Sequence, residues 1–360
     1  MWRIRSITAS GFSRRLRKDS IMLKKKQAYT VAVLGATGAV GKESLEILEE
    51  RNFPIDTLRL FSSKRSAGEV LTCQGKEYQV EELTEASSFA GVDIAFISAT
   101  DAISRDYGAR LGAAGIVVID DSAVFRMDPN VPLVVPEVNA AALQSMKRGI
   151  VAIPNCTTTP LVMALKPLRD VAGIKRVVVT TFQSVSGTGS AAMDELVDQT
   201  KALISFQDVK VQVYPYQIAF NLLPQVGSFG DGGDCSEEVK IVQETRKILE
   251  MPELRVTATT VRVPVLRCHS EAINVELERP LKANDARAAI AEMSGVIVYD
   301  DPLKKLYPMP FDVSGKDEVY VGRVRVDESI TNGLNLWVVS DNLRKGAALN
   351  AVQIAECLIQ

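Results

Sequence analysis

The stretch Tyr29-Thr-Val-Ala-Val-Leu-Gly-Ala-Thr-Gly-Ala-Val-Gly41 decides the fold. It starts as a continuous β-prone run and ends in a turn with three glycines, Gly35, Gly38 and Gly41. The residues from Lys42 to Glu50 place aliphatic side chains among charges, as an amphipathic helix does. Strand, glycine turn and helix are typical of a dinucleotide-binding fold, because glycines let the backbone approach a pyrophosphate and the helix N-terminus supplies N–H donors.

The glycine spacing is GxxGxxG rather than GxGxxG, so a tight turn without a ligand is the alternative. The clear strand and helix on either side favour the dinucleotide site. The next predicted strand, Thr57 to Phe61, is followed by hydroxyl groups and two cations over residues 62–68. An acidic residue at this point usually meets a free ribose 2′-hydroxyl, whereas cations suit a 2′-phosphate. This favours NADP over NAD, with a solvated basic loop as the alternative.

Further strand and helix patterns follow. Val92–Ser98 and Ile116–Ile119 are short apolar runs of the kind buried in parallel sheets, and Ile103 to Leu111 is helical between them. This alternation predicts a doubly wound, Rossmann-type sheet covered on both faces. An extended segment is predicted over Val131–Asn139.

A candidate nucleophile, Cys156, lies in Ile153-Pro-Asn-Cys-Thr-Thr-Thr-Pro160, between an apolar run and a helical pattern over Leu161–Leu168. A cysteine that opens a helix lies near unpaired N–H groups and the positive end of a dipole, which predicts a thiolate. The alternative is a buried structural cysteine, the commoner case.

The second half has a different periodicity. Arg176–Gln183 predicts a strand that runs into a hydroxyl-rich turn, and polar residues alternate with apolar ones over Ala272–Glu278. Val319–Val326 and Leu334–Val339 add further strands, and Leu343–Ile359 predicts an amphipathic helix. We therefore expect an α/β protein in which an α+β domain with a mixed sheet follows the doubly wound domain.

Composition limits the possible classes. The chain has 360 residues, 46% of them hydrophobic and 24% charged, and no apolar run approaches the ~20 residues of a membrane span. Five scattered cysteines without CxxC spacing predict a reducing compartment, and a single histidine excludes a metal site with several imidazoles. No metal, membrane or nucleic-acid partner is expected.

Residues 1–26 form a basic leader for which we expect disorder. They carry nine Lys or Arg and one acid, a net +8, so the whole-chain charge of −2 leaves −10 for residues 27–360. An acidic body argues against nucleic-acid binding. The leader is either a transit peptide or, as we favour, an upstream extension of a protein whose core starts near Met22.

A dinucleotide turn, a candidate thiolate and the lone His269 together predict acyl chemistry. A thiolate adds to an activated acyl group, hydride transfer reduces the resulting thioester, and histidine moves protons near neutral pH. The alternative for His269 is a satisfied core histidine, which the neighbouring arginines and serine make less favourable.

The chain, from about Tyr29 to Gln360, resembles the aspartate-semialdehyde dehydrogenase family. Seven separated motifs carry the resemblance: residues 35–41, 63–68, 131–139, 154–158, 183–187, 262–265 and 345–350. It implies reduction of L-aspartyl 4-phosphate by NADPH to aspartate 4-semialdehyde with release of phosphate, a step of lysine, threonine and methionine synthesis. It also implies a homodimer or homotetramer, in the cytoplasm or, if residues 1–26 are a transit peptide, in a plastid.

The resemblance implies roles for individual residues. Cys156 is the nucleophile, Gln183 orients the acyl-enzyme and His269 is the acid/base. The substrate-binding residues implied are Arg126 and Lys240 for phosphate, Arg262 for the α-carboxylate, Glu237 for the α-amino group, and Asn155. Spacing does not choose between Glu237 and its neighbour Glu238. The cofactor-binding residues implied are Gly35, Thr37, Gly38, Ala39, Val40, Gly41, Ser63, Arg65, Ser66, Ser186, Gly187 and Asn342.

The predicted domains are residues 27–155 for the dinucleotide, completed by a C-terminal helix at 341–360, and 156–340 for substrate, catalysis and dimerisation. The chain has Asp121 where the family often has Asn, and Phe182 where it often has Tyr. Alternatives are an N-acetyl-γ-glutamyl-phosphate reductase, which needs no partner for a free amino group, and a non-catalytic dinucleotide-binding protein. A glyceraldehyde-phosphate dehydrogenase is less favoured, because the ribose-contacting acid is missing.

Overall fold

The computed structural model describes residues 23–359, so most of the predicted leader lies outside the described part. Within residues 23–359 the strands form two sheets. The first has seven strands in the order β3-β4-β2-β1-β5-β6-β7: β1 Tyr29–Leu34, β2 Ile55–Ser62, β3 Val70–Cys73, β4 Lys76–Glu82, β5 Ile94–Ile97, β6 Val117–Asp120 and β7 Ile150–Ala152. The second has six in the order β11-β12-β13-β10-β8-β9: β8 Ile174–Gln183, β9 Arg255–Arg262, β10 His269–Leu277, β11 Val296–Val298, β12 Val319–Asp327 and β13 Gly333–Ser340.

The α-helices of this part of the chain are α1 Ala39–Glu50, α2 Asp101–Ile103, α3 Ala109–Ala113, α4 Pro136–Asn139, α5 Thr158–Ala172, α6 Ser190–Ile204, α7 Ser236–Ile248, α8 Ala283–Ala291, α9 Pro310–Val313 and α10 Leu349–Ile359. A π-helical turn, Ser104–Gly108, joins α2 to α3, and another, Arg344–Ala348, leads into α10.

The first sheet has the predicted doubly wound form. Its strands pair in parallel except for the β3–β4 hairpin, which the sequence analysis missed. Successive residues of a strand point to opposite faces. In β1, Val31 and Val33 pack with α1 and α10 on one face, whereas Ala32 and Leu34 pack towards Leu111 on the other. Helices therefore cover both faces.

The glycine turn after β1 allows close backbone contacts. Gly35 has φ of +89°, and a Cβ there would lie 2.1 Å from the Ser98 carbonyl oxygen. A Cβ at Gly41 would lie 2.2 Å from the Gly35 oxygen. The turn thus requires glycine at both positions, and α1 begins at Ala39, three residues before the predicted helix.

The extended prediction for Val131–Asn139 is wrong over its last four residues, which form α4. Pro136 occupies the first turn of this helix, where a missing N–H costs nothing. The Asn139 side chain accepts a hydrogen bond from the Val135 N–H and donates one to the Leu133 oxygen, both at 2.9 Å. These bonds fold the chain back on itself.

The second sheet is mixed, as predicted: β10 pairs antiparallel with β8 and β13, and β8 pairs in parallel with β9. Helix α5 packs between the two sheets, and α10 returns to the first sheet, where Val352 and Ala355 contact its core. The predicted domain limits at 155/156 and 340/341 stay a prediction.

Candidate active site

A cleft of about 410 Å³ lies where the carboxyl ends of the first sheet meet the second sheet. It is lined by Val40, Asp121, Arg126, Asn155, Cys156, Gln183, Ser186, Gly187, Thr188, Val226, Gly227, Glu237, Lys240, Arg262, Asn342, Leu343 and Ala347. Such a crevice at strand carboxyl ends is where α/β sheets bind ligands. The structure brings all predicted substrate-binding residues to it.

Cys156 lies in the turn between β7 and α5, with its side chain partly exposed to the cleft. Asn155 holds this turn, because its side-chain oxygen accepts hydrogen bonds from the Thr157 N–H at 2.9 Å and the Thr157 hydroxyl at 2.6 Å. The π-turn before α10 packs on the other side, where a Cβ at Gly346 would lie 3.0 Å from the Cys156 Cβ. The nucleophile is thus fixed from two sides.

Glu237 connects three predicted substrate-binding or catalytic groups. One carboxylate oxygen accepts hydrogen bonds from the side-chain amides of Asn155 at 2.8 Å and Gln183 at 3.0 Å, and the other pairs with Lys240 at 3.3 Å. Burial raises the pKa of Glu237, but Lys240 and the two amides outweigh it, so the pKa is lowered and the group is ionised. Glu238 instead caps α7 by accepting the Cys235 N–H at 2.8 Å. Of the two candidates, only Glu237 faces the cleft.

His269, at the start of β10, is buried, and its ring lies behind Gly187, which lines the cleft. A Cβ at Gly187 would lie 3.2 Å from both the His269 Nε2 and the Arg262 Nη1. The His269 Nδ1 accepts a hydrogen bond from the Ser184 N–H at 3.0 Å. The neutral imidazole therefore carries its proton on Nε2, which has no hydrogen-bond partner among the described residues. This proton is available to a ligand.

The prediction that Cys156 is a thiolate is wrong. Burial raises the pKa of the Cys156 thiol to about 12, and the Glu237 charge adds to this effect, while Arg262 and Arg126 oppose it. Burial and Arg262 lower the pKa of His269 to about 3. The resting pair at neutral pH is a thiol and a neutral imidazole, because burial disfavours the charged form of each group.

Arg126 has an acidic partner that the sequence analysis missed. Its Nη1 pairs with Glu244 at 3.0 Å, and Glu244 also accepts the Asn155 N–H at 2.7 Å. Glu237, Lys240 and Glu244 lie at i, i+3 and i+7 of α7, so they share one face. That spacing was the available signal. The Nη2 of Arg126 lies 3.9 Å from the Asp121 carboxylate.

The predicted cofactor residues fall into two groups. Val40, Ser186, Gly187 and Asn342 line the cleft beside Cys156. The others lie outside the cleft lining, in the turns after β1 and β2 and the first turn of α1: Gly35, Thr37, Gly38, Ala39, Gly41, Ser63, Arg65 and Ser66.

The turns after β1 and β2 are joined by a hydrogen bond of 2.6 Å between the Thr37 and Ser62 hydroxyls. Gly38 precedes α1 without capping it through a side chain, so the first N–H groups of the helix have no side-chain acceptor there. Arg65, three residues after Ser62 in the chain, is exposed. A glycine turn, free helical N–H groups and a nearby cation fit a dinucleotide phosphate.

Within the described part of the chain, no group of three or more His, Cys, Asp or Glu could hold a metal ion, and no helix is long and apolar enough to cross a membrane. Phe182 packs against Trp337, with ring centroids 5.5 Å apart, and does not line the cleft.

Comparison with known protein families identifies relatives of both halves. Residues 30–146 match the family model described as "Semialdehyde dehydrogenase, NAD binding domain", and residues 165–345 match "Semialdehyde dehydrogenase, dimerisation domain". Similar curated proteins include the aspartate-semialdehyde dehydrogenases of Aquifex aeolicus, 51% identical over 92% of this chain and 98% of the relative, and of Bacillus subtilis, 48% identical over 91% and 96%.

Solved structures are similar too. The aspartate semialdehyde dehydrogenase II of Vibrio cholerae, complexed with ASA, has a TM-score of 0.90 at 45% identity and covers 93% of this chain and 99% of its own. The Candida albicans enzyme, solved with NADP, has a TM-score of 0.72 at 26% identity, with coverage of 92% and 98%.

Proposed function

The chain belongs to the aspartate-semialdehyde dehydrogenase family, and we propose that it reduces L-aspartyl 4-phosphate to aspartate 4-semialdehyde and phosphate through a thioester on Cys156. One observation carries the proposal: a thiol, an ionised Glu237 and Arg262 line one cleft, and the Nε2 of His269 lies directly behind Gly187 in its wall. These groups match an activated acyl group that bears an α-amino and an α-carboxylate group.

In the first step the Cys156 sulfur attacks the acyl carbon and the bond to the phosphate oxygen breaks. The thiol proton ends on the released phosphate, so the step needs no further acid or base overall. Gln183, held by Thr181 at 3.1 Å and donating to Glu237 at 3.0 Å, fixes one side of the acyl group. The His269 Nε2 proton faces the same region and can be donated to the carbonyl oxygen as negative charge develops there.

Two charged residues orient the substrate. Arg262 donates from Nη1 to the Ser184 oxygen at 2.6 Å, which leaves other donors of its guanidinium for a carboxylate. Glu237 offers a carboxylate to the α-amino group. An N-acetyl-γ-glutamyl phosphate has no free amino group, so it cannot add a charge-assisted bond to the Glu237 carboxylate and loses roughly 1.5–3 kcal/mol relative to a substrate that can. This argues against the sister activity.

A nicotinamide dinucleotide supplies the hydride for the second half of the reaction. The turn after β1 and the N-terminus of α1 would hold its phosphates, and Val40, Ser186, Gly187 and Asn342 would contact the part that enters the cleft. We propose NADP rather than NAD, because Ser63, Arg65 and Ser66 follow β2 where an acidic residue would otherwise meet the 2′-hydroxyl.

We further propose that the protein works in the cytoplasm as a homodimer or homotetramer. The matched dimerisation domain supports self-association, and the bacterial origin of the curated relatives quoted above supports the cytoplasm. A plastid location has no such support, since it depends on the leader, of which residues 1–22 lie outside the described part.

The test is phosphate-dependent reduction of NADP by aspartate semialdehyde, followed by nicotinamide absorbance, with NAD in parallel. We expect turnover with NADP, and a loss on the order of 10⁴-fold or more in Cys156→Ala. Cys357→Ala, on α10 outside the cleft lining, is the matched control and should keep wild-type turnover. Activity with only N-acetylglutamate semialdehyde would assign the sister reaction, and inactivity with both substrates would favour a non-catalytic protein.

A further inference from the structure

The cleft wall near Cys156 carries a carboxyl group that the proposed reaction does not use. Asp121 follows β6, lines the cleft and is 23% exposed. The Arg126 Nη2 donates to its backbone oxygen at 2.7 Å but lies 3.9 Å from its carboxylate, too far for a hydrogen bond. An anion that binds Arg126 from the cleft therefore lies next to the Asp121 carboxylate.

The cations beside Asp121 are already paired with other acids. Arg126 pairs with Glu244 at 3.0 Å, and Lys240 pairs with Glu237 at 3.3 Å. Neither pair leaves a surplus of positive charge. With Asp121 ionised, the carboxylates of Asp121, Glu237 and Glu244 balance the three cations Arg126, Lys240 and Arg262, so no positive charge is left over for a dianion.

We propose that Asp121 controls anion binding in the cleft: a phosphate-like dianion binds beside Arg126 and Lys240 when the Asp121 carboxyl is protonated, and is repelled when it is ionised. The protonated group can also donate a hydrogen bond to the anion, which an ionised carboxylate cannot do. The inference rests on the proposed function only in identifying the dianion as the phosphate that the reaction releases.

Asp121 would control anion binding near neutral pH. Burial raises the pKa of Asp121 to about 7, Arg126 opposes the shift, and Asp120 and Glu244 add to it. The titratable and charged groups that line the cleft with Asp121 are Arg126, Cys156, Glu237, Lys240 and Arg262. Asp120 on β6 and Glu244 on α7 are buried outside the lining and act on Asp121 through their charge, and His269 on β10 lies behind Gly187. Cys156, with a pKa of about 12, and His269, with a pKa of about 3, keep their protonation states between about pH 5.5 and about pH 8.5.

The test is calorimetric titration of the full chain with sulfate, without substrate or cofactor. Sulfate keeps its charge of −2 over this pH range, whereas phosphate itself titrates near neutrality. If only the protonated form binds, the dissociation constant should rise roughly 30-fold between pH 5.5 and pH 8.5, as the protonated fraction falls. In Asp121→Asn the constant should change less than about threefold over the same range. Asp231→Asn, the same charge change in an exposed loop, should behave as the wild type.

The outcomes are distinct. A wild-type constant that does not vary with pH, an absence of sulfate binding at pH 5.5, or the same pH dependence in Asp121→Asn would each overturn the proposal. Because the wild-type titration is informative by itself, a variant that fails to fold does not remove the test. If sulfate behaves as expected but aspartate semialdehyde is not turned over, the anion control stands and the proposed function fails.

Discussion

Two buried carboxylates, Glu237 on α7 and Glu271 on β10, show how differently the fold treats the same group. Glu237 on α7 has hydrogen bonds or an ion pair to Asn155, Gln183 and Lys240, and its pKa is lowered. Glu271 on β10 is 1% exposed, its two oxygens have no hydrogen-bond partner in residues 23–359, and burial raises its pKa well above the ordinary value. The α7 side holds charge, whereas the β10 side keeps its groups neutral.

The two sides therefore have different roles, in substrate binding and in proton donation. A charged ligand is oriented by charges that are present before it binds, which the α7 side supplies. Proton donation needs a group that keeps its proton at neutral pH, and the neutral His269, two residues before Glu271 on the same face of β10, retains one on Nε2. The comparison therefore predicts that changes on the two sides alter different kinetic parameters.

The largest effect is expected on the β10 side. His269→Asn should lower kcat by roughly 10²–10⁴-fold with little change in the KM for aspartate semialdehyde, because a positioned acid is lost but not a substrate contact. Steady-state kinetics of the NADP-reducing direction measure both. Ser340→Ala is the control, because Ser340 pairs with His269 in register and its hydroxyl is equally buried and unpartnered. Equal losses in the two variants would mean that His269 acts only through packing.

A smaller effect of the opposite kind is expected on the α7 side. Glu237→Gln should raise the KM for aspartate semialdehyde by roughly 10–100-fold, since a charge-assisted bond contributes roughly 1.5–3 kcal/mol. Glu238→Gln, the adjacent residue, should leave the KM unchanged and lower only the free energy of unfolding, by about 1 kcal/mol, since its two oxygens accept the Cys235 and Thr260 N–H groups and an amide has one acceptor oxygen. A KM effect of Glu238→Gln as large as that of Glu237→Gln would contradict this assignment.

Structural features that depend on a local sequence pattern could be predicted. The β1 bounds were predicted correctly, because a β-prone run next to glycines has few alternatives, and the mixed second sheet followed from the alternation over β10. The β3–β4 hairpin was missed, since most of its side chains are exposed or half-buried and carry no clear periodicity.

The electrostatic state of the site could not be predicted, because it depends on distant residues. Locally, Cys156 precedes a helix and should be ionised. Its pKa is raised first by burial in the folded chain and then by the carboxylate of Glu237 on α7, 82 residues after Asn155. Nor does the sequence of β10 indicate that Glu271 is buried without a partner, since Glu276, on the same strand, pairs with Lys175.

The smallest predicted effect is on the free energy of unfolding, and it depends on Glu271 alone. Its folded-state pKa lies above the unfolded value of about 4.5, so above that pH the folded state binds a proton that the unfolded state has released. Stability therefore falls as pH rises from about 4.5 towards the folded pKa, by up to about 1.4 kcal/mol per pH unit for this group. Glu271→Gln stays neutral in both states, so its free energy of unfolding should match the wild type below about pH 4 and exceed it increasingly as pH rises towards the folded-state pKa of Glu271. Denaturant unfolding at fixed protein concentration measures this difference, and Glu276→Gln should show no such growth. Parallel pH curves for wild type and Glu271→Gln would mean that Glu271 is solvated or paired in solution, and the contrast with Glu237 would then fail.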